Sequence, residues 1–207
     1  MIKLAQPLYH GTRASLLPSI RSLGLGGQNI VRDWRAADFL VGAWKICERH
    51  SDHAVLEQHR WIVERMLADW DSAQSTTSSN WRHGAVYFTT SRRKAFSYAQ
   101  TAAPEMVAYA FQILDICAAT ELAVTRDLLV SHPEIAKWRA SDARPVVLAT
   151  SAIDPTNLRT EAGGDAVSAF SRLQEEENAG DLAELMSEEF EYVGSLPWQV
   201  LVEVNAE

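Results

Sequence analysis

Cysteine is scarce in this chain, with two among 207 residues. Two cysteines give no disulfide framework, which favours a reducing compartment. Long apolar runs are also missing, since no stretch of the sequence approaches the roughly 20 residues that a membrane-spanning helix needs. The N-terminal stretch "MIKLAQPLYHGT" lacks the apolar segment and small-residue cleavage site of a signal peptide. We therefore expect a cytoplasmic protein without a membrane partner.

Basic residues are outnumbered, with 19 Lys and Arg against 27 Asp and Glu and a net charge of -8. An acidic chain is a poor general binder of phosphate backbones, which argues against nucleic acid as a partner despite the local basic stretch "SRRKAF". Hydrophobic residues make up 47% of the chain, which is ordinary for a globular protein with a sizeable core. The length predicts one domain, or one domain with an insertion.

The sequence shows no familiar pattern of metal-ligating residues. Cys47, His50, His53 and His59 lie close together in the sequence, but their spacing matches no common zinc site. On a helix, Cys47 and His50 share a face, whereas His53 turns away from Cys47. We therefore predict no metal.

Short apolar stretches predict strands that are spread along the chain with helices between them. The predicted strands are "KLAQPLYH", "GAVYFTTS", "EMVAYAFQILDI", "RPVVLAT", "FEYVGSL" and "WQVLVEV". The third alternates imperfectly, so we interpret it as a buried strand. Strands interspersed with helices in this way indicate an α+β fold.

Apolar residues at spacings of three and four predict the helices. These are "ASLLPSIRSLG", a pair within residues 34–70, "RRKAFSYAQTA", and "TRDLLVSHPEIAKWRAS" with an interruption at Pro133. Gly24 is the expected end of the first helix. We interpret the pair as a helical insertion at about residues 33–75 of a single domain that spans residues 1–207.

Three predicted strands carry polar or aromatic groups that a plain core strand does not need. His10 ends the first strand, Glu191 alternates with Phe190 on a late one, and Tyr87 and Tyr98 lie eleven residues apart across a strand-to-helix turn. Two tyrosines so placed can sandwich a flat heterocycle. Taken singly, each residue also fits a structural explanation: a hydrogen-bonded histidine, half-buried core tyrosines, and a solvated carboxylate.

Taken together, these stretches resemble the ADP-ribosyltransferases of the poly(ADP-ribose) polymerase and diphtheria-toxin type. "YHGTRASLLPSIRSLGL" is similar to the family's opening motif of His-Gly-Ser/Thr followed by a helix that ends in Gly-Leu. "VYFTTSRRKAFSYA" resembles the second motif, a Tyr-Phe strand with a second tyrosine eleven residues later, and "FEYVG" resembles the third, a Glu-Tyr pair. The resemblance implies split antiparallel β-sheets, with NAD as co-substrate and no metal.

The resemblance also implies a role for each matching residue. His10, Tyr87 and Glu191 correspond to the His-Tyr-Glu catalytic triad. His10 would bind a ribose hydroxyl of NAD, Tyr87 and Tyr98 would stack on the nicotinamide, and Glu191 would hold the nicotinamide-ribose 2′-hydroxyl and stabilise the developing positive charge. The remaining implied NAD contacts are Gly11, through its backbone to the nicotinamide amide, and Thr12 and Arg13, beside the adenosine or phosphate half.

Two positions bear on the acceptor and on a departure from the family. Glu189 and Glu191 form a Glu-x-Glu pattern, and in toxin-like relatives the first acidic residue of such a pair helps to choose the acceptor. Glu189 could therefore guide a cationic acceptor, or simply belong to an acidic loop. Ala95 stands where the polymerases typically have a serine that binds the nicotinamide amide.

The resemblance implies an enzyme, an NAD-dependent mono-ADP-ribosyltransferase, which is a glycosyltransferase acting on a macromolecular target. A toxin or bacterial effector of this kind would be delivered into a target-cell cytoplasm, would favour a protein acceptor over nucleic acid, and could have a neutralising partner protein. Two alternatives stay open. One is an RNA 2′-phosphotransferase-like enzyme, against which the net charge of -8 and Glu191 argue. The other is a catalytically inactive partner-binding module on the same fold.

Overall fold

The computed structural model describes residues 2–51, 53–69, 86–101, 104–160, 164–169 and 189–204. The chain divides into two compact units. A sheet unit comprises Met1–Gln28, Ala85–Ala102 and Asp142–Glu207, and a helical unit comprises Asn29–Gly84 and Ala103–Ser141. The mixture of helices with an antiparallel sheet confirms the α+β class. The helical unit includes the predicted insertion and also a second stretch of chain, 103–141, that the sequence did not group with it.

Six strands form one sheet among the described residues. They are β1 (Ile2–Arg13), β2 (Val86–Thr89), β3 (Pro145–Ile153), β4 (Leu158–Thr160), β5 (Glu189–Tyr192) and β6 (Val202–Val204). Their order across the sheet is β4-β5-β2-β1-β3-β6, and each of the neighbouring pairs is antiparallel. The first and the last motif of the sequence thus lie on two strands, β1 and β5, that both flank β2.

The described α-helices fall in two runs of the chain, four between β1 and β2 and four between β2 and β3. They are α1 (Leu17–Leu23), α2 (Ile30–Asp33), α3 (Ala36–His50), α4 (His53–Asp69), α5 (Arg92–Thr101), α6 (Glu105–Ile116), α7 (Ala123–Val130) and α8 (Pro133–Arg139). The predicted end at Gly24, the helical pair and the interruption at Pro133 are confirmed. None of the described helices is both long and apolar enough to cross a bilayer.

The prediction of a strand in "EMVAYAFQILDI" is wrong, because this stretch forms the helix α6. Its buried residues fall three and four apart, in two parallel rows: Met106, Ala110 and Ile113, then Val107, Phe111 and Leu114. A short apolar run cannot be assigned from alternation alone. The preceding Pro104 and the acidic Glu105 in the first turn are helix-start signals that the strand interpretation overlooked.

The core of the sheet unit lies on one face of the sheet. Alternation along the strands brings large apolar side chains to this face: Leu8, Val86, Phe88, Leu148, Leu158, Phe190 and Tyr192. The Phe88 ring meets the Tyr192 ring edge-on at 6.3 Å between centroids. Helix α1 adds Leu17 and Ile20 to the same core.

Helix α5 packs closely on β1, and Gly11 makes this approach possible. A Cβ atom built on Gly11 would lie 2.0 Å from the carbonyl oxygen of Ala95 and 2.7 Å from the backbone nitrogen of Ala99. Both alanines are fully buried. Gly11 therefore has a packing role of its own, because any side chain there would push the helix off the strand.

The helical unit has a separate aromatic core. The centroid of the Phe39 ring, on α3, lies 5.2 Å from that of Phe111 on α6 and 5.4 Å from that of His132. The Phe111 ring in turn stacks on Trp138 of α8, with 6.5 Å between the ring centroids. Apolar faces of α3 and α6 meet in this core, as expected for amphipathic helices.

Candidate functional site

Strands β1 and β2 part beside the predicted histidine. Among the described residues, their ladder consists of the single pair Tyr9 and Thr89, although the same register would next pair Gly11 with Tyr87. The Tyr87 carbonyl oxygen instead lies 2.8 Å from Nδ1 of His10. The histidine side chain thus meets a carbonyl that a continued ladder would direct to the Gly11 N–H. This place, where β1 and β2 separate, is called the β1–β2 split below.

The register of the sheet also shows where the backbone of Gly11 points. The Ala14 N–H donates to the Arg144 carbonyl at 2.9 Å, so this opposed pair is of the hydrogen-bonded type. Because the two types alternate, Thr12 and His10 direct their backbone polar groups to β3, whereas Gly11 directs its own to the β2 side. The N–H and C=O of Gly11 therefore face the β1–β2 split.

Tyr87 and Glu191 are directly opposite each other on β2 and β5, and Arg159 of β4 is opposite Glu191 on its other side. Directly opposed residues of antiparallel strands project their side chains from one face. This is the face on which α5 lies, since Gly11 and Tyr87 occupy equivalent positions in the register. Glu191 is 6% exposed and Tyr87 is half-buried. The sequence left open that the Glu191 carboxylate faces solvent, whereas in the structure it is buried.

The His10 ring lies on the opposite face of β1 from this pair, because alternation separates it from Gly11. Its edge contact with Phe88, at 5.9 Å between centroids, is on the core side of the sheet. Burial lowers the pKa of His10, and the hydrogen bond to the Tyr87 carbonyl opposes this in part. A carbonyl only accepts, so Nδ1 carries the proton, and in the neutral ring Nε2 is an acceptor.

Tyr98 and Glu189, two residues predicted for different roles, contact each other. The Tyr98 hydroxyl donates to Oε1 of Glu189. Lys94 contacts the same oxygen, with its Nζ 2.6 Å away. Sequence reasoning treated Lys94 only as part of the basic stretch "SRRKAF", although it lies four residues before Tyr98 and so shares a face of α5 with it. It missed Arg159, for which the sequence holds no signal because only the register brings it beside Glu191.

The structure directs one of the predicted NAD contacts away from the split. Thr12 is buried, and its backbone pairs with Val146 of β3. Arg13 is the last residue of β1 and, two residues after Gly11, shares its face of the strand. The residues that converge at the β1–β2 split are His10, Gly11 and Tyr87, with Glu191 one strand further on.

The site is built of side chains and backbone groups of the protein. Within the described ranges, no cluster of three or more His, Cys, Asp or Glu residues has an arrangement that could hold a metal ion. Comparison of the chain with protein-family models, with curated proteins and with solved structures found no match.

Proposed function

We propose that this protein is an NAD-dependent mono-ADP-ribosyltransferase that modifies a macromolecular target, and that the β1–β2 split is where NAD binds. The observation that carries the proposal is that the Gly11 backbone groups, the Tyr87 carbonyl and the His10 ring meet at this split. The side chains of Tyr87 and Glu191 lie together beside it on the α5 face. The described strands form one sheet in which the pair Tyr9 and Thr89 still joins β1 to β2, so the split sheets that the motifs imply stay a prediction.

The nicotinamide half of NAD suits the side of the split that carries Gly11. The primary carboxamide of nicotinamide has two N–H donors, one of which lies beside its carbonyl acceptor on the same edge, and Gly11 offers the complementary pair from its backbone. The Tyr87 ring beside it would stack on the pyridinium. Stacking contributes about 0.5–1.5 kcal/mol beyond the burial of area. Helix α5 covers the Cβ side of Gly11, so its backbone is approached from within the split.

Glu191 is suited to the bond-breaking step. The bond between nicotinamide and C1′ of the ribose breaks, its electron pair leaves with the neutral nicotinamide, and the ribose develops oxocarbenium character. A nucleophile of the acceptor then bonds to C1′ and loses its proton. A buried carboxylate that is held in place by two neighbouring strands stabilises the positive charge and can accept a hydrogen bond from the 2′-hydroxyl.

His10 is suited to bind a neutral hydroxyl group. Its Nδ1 proton is directed to the Tyr87 carbonyl, which orients the ring and leaves Nε2 as an acceptor for a ribose O–H. Its lowered pKa keeps the ring uncharged near neutral pH. Because the ring lies on the other face from Glu191, a ligand that contacts both would pass through the split.

Incubation with labelled NAD and a cell lysate tests the function. We expect label in macromolecules, sensitive to protease rather than nuclease, and its loss in the Glu191→Gln variant. Glu203→Gln is the matched control, since it removes the same charge from β6 of the same sheet. Removal of an RNA 2′-phosphate without labelling would favour the phosphotransferase-like alternative. The absence of both labelling and nicotinamide release would favour the inactive binding module.

A further inference from the structure

The face of α5 that turns to β5 carries a compact polar cluster. Lys94 and Tyr98 are one helical turn apart, and both contact Oε1 of Glu189, the first residue of β5. The Lys94 ammonium also lies 5.9 Å from the centroid of the Tyr98 ring. We call these contacts the Glu189 tether. The tether joins a helix to a strand that is not its neighbour in sequence.

The tether restrains the Tyr98 side chain at its hydroxyl end. Tyr98 is 44% exposed, so a hydrogen bond at this end limits the rotation of a ring that packing covers only in part. A hydroxyl-to-carboxylate hydrogen bond is charge-assisted and roughly twice as strong as a neutral one. The Glu189 side chain is only 18% exposed, and Lys94 supplies a counter-charge for it there.

We propose that Glu189 is a positioning residue, which holds Tyr98 against the nicotinamide slot. The proposal rests on the proposed function and assigns Glu189 to the NAD half of the reaction. Residues 189 and 191 share a face of β5, so Tyr98 is held on the same face as Tyr87 and Glu191. An acceptor-selecting role would require a cationic acceptor to displace the Lys94 ammonium, which already lies 2.6 Å from this carboxylate.

Measurement of nicotinamide binding distinguishes the positioning role of Glu189 from an acceptor-selecting role, because no acceptor is present in the assay. We would measure the Kd of nicotinamide for the wild type and for Glu189→Gln, Tyr98→Phe and their double variant, with Glu203→Gln as control. Tyr98→Phe keeps the aromatic face and removes only the tethering hydroxyl. We expect each single change to weaken binding about three- to tenfold, which is less than the full loss of a charged hydrogen bond because the tether acts on nicotinamide only through the position of Tyr98. The double variant should bind nicotinamide no more weakly than the single variant with the higher Kd, because both changes remove the same contact between Tyr98 and Glu189.

The NAD reaction provides a second readout. Positioning through Tyr98 predicts a raised KM for NAD hydrolysis in Glu189→Gln, with an unchanged ratio of transfer to hydrolysis. Wild-type Kd and KM values in Glu189→Gln, with a changed transfer ratio, would overturn the proposal in favour of acceptor selection. Multiplying effects in the double variant would also overturn it.

Failure of the proposed function has a different signature. A wild-type protein that neither binds nicotinamide nor releases it from NAD would overturn the proposed function, and the positioning role with it. The tether is then still measurable from thermal unfolding. Glu189→Gln also loses the Lys94 contact, so a Tm shift in the double variant no larger than that of Glu189→Gln alone indicates that the Tyr98 contact forms, whereas additive shifts contradict the contact itself.

Discussion

Tyr87 joins the two halves of the candidate site through different groups. Its side chain lies on the same face as that of Glu191, the residue directly opposite on β5, whereas its carbonyl oxygen points to β1 and lies 2.8 Å from Nδ1 of His10. The proposed triad is dispersed over 182 positions of the sequence, from His10 to Glu191, and a single residue of β2 connects its other two members. Changes at these three positions should consequently have distinct and separable effects.

Gly11→Ala should destabilise the sheet unit severely. Its new methyl group would meet the Ala95 carbonyl oxygen, a backbone atom that can move only with α5. Overpacking of this kind costs about 1–3 kcal/mol or more, so we expect a loss at the upper end of that range in urea-induced unfolding. Gly164→Ala is the control, because its Cβ would meet only the Thr160 side chain among the residues that the structure describes. Equal stability of the Gly11 variant and the wild type would contradict the close packing of α5 on β1.

His10 should make stability depend on pH. Burial lowers its pKa in the folded protein, while in the unfolded chain it keeps an ordinary value of 6.5. As the pH falls below 6.5, the unfolded chain therefore binds a proton that the folded protein does not, and folding becomes less favourable. We expect His10→Gln, which cannot titrate, to lose less stability than the wild type between pH 7.5 and 5.5. Parallel losses in denaturant unfolding at these two pH values would contradict the buried neutral histidine.

The Tyr87 ring should affect NAD binding through its aromatic face. Tyr87→Leu removes the face and keeps apolar bulk, whereas Tyr87→Phe keeps the face. Since stacking is worth about 0.5–1.5 kcal/mol, we expect KM for NAD hydrolysis to rise roughly 2- to 12-fold in the leucine variant and to stay within about twofold in the phenylalanine variant. Steady-state kinetics decide this. Equal KM values for both variants would mean that the ring does not contact the nicotinamide.

The helix boundaries of this fold were predictable where the sequence has a glycine or a proline at the boundary. Gly24 has a φ of 83° after the last turn of α1, and Pro133 begins α8, so a residue with special backbone preferences lies at each boundary. The α6 stretch was misread because its apolar residues are too dense for alternation to be informative. The helical start signals at Pro104 and Glu105 were the better guide.

The candidate site was predictable as a set of residues but not as an arrangement. Motif order suggested His10, Tyr87 and Glu191, yet nothing local in the sequence gives the register that opposes Tyr87 to Glu191. The packing reason for Gly11 depends on where α5 crosses β1, which is a tertiary property. The contact between Tyr98 and Glu189 joins residues 91 positions apart, so sequence reasoning assigned them to different halves of the reaction.

Release of nicotinamide from NAD tests the central claim most directly. Chromatography would follow this release for the purified wild type, Glu191→Gln and Glu203→Gln under identical conditions, with unfolding curves to show that each protein is folded. Loss of a preorganised charge at the reacting centre typically costs about 10²- to 10³-fold in kcat. We predict measurable release by the wild type and by Glu203→Gln, and a reduction of at least about 100-fold in Glu191→Gln. No release by the folded wild type, or full activity in Glu191→Gln, would contradict the account.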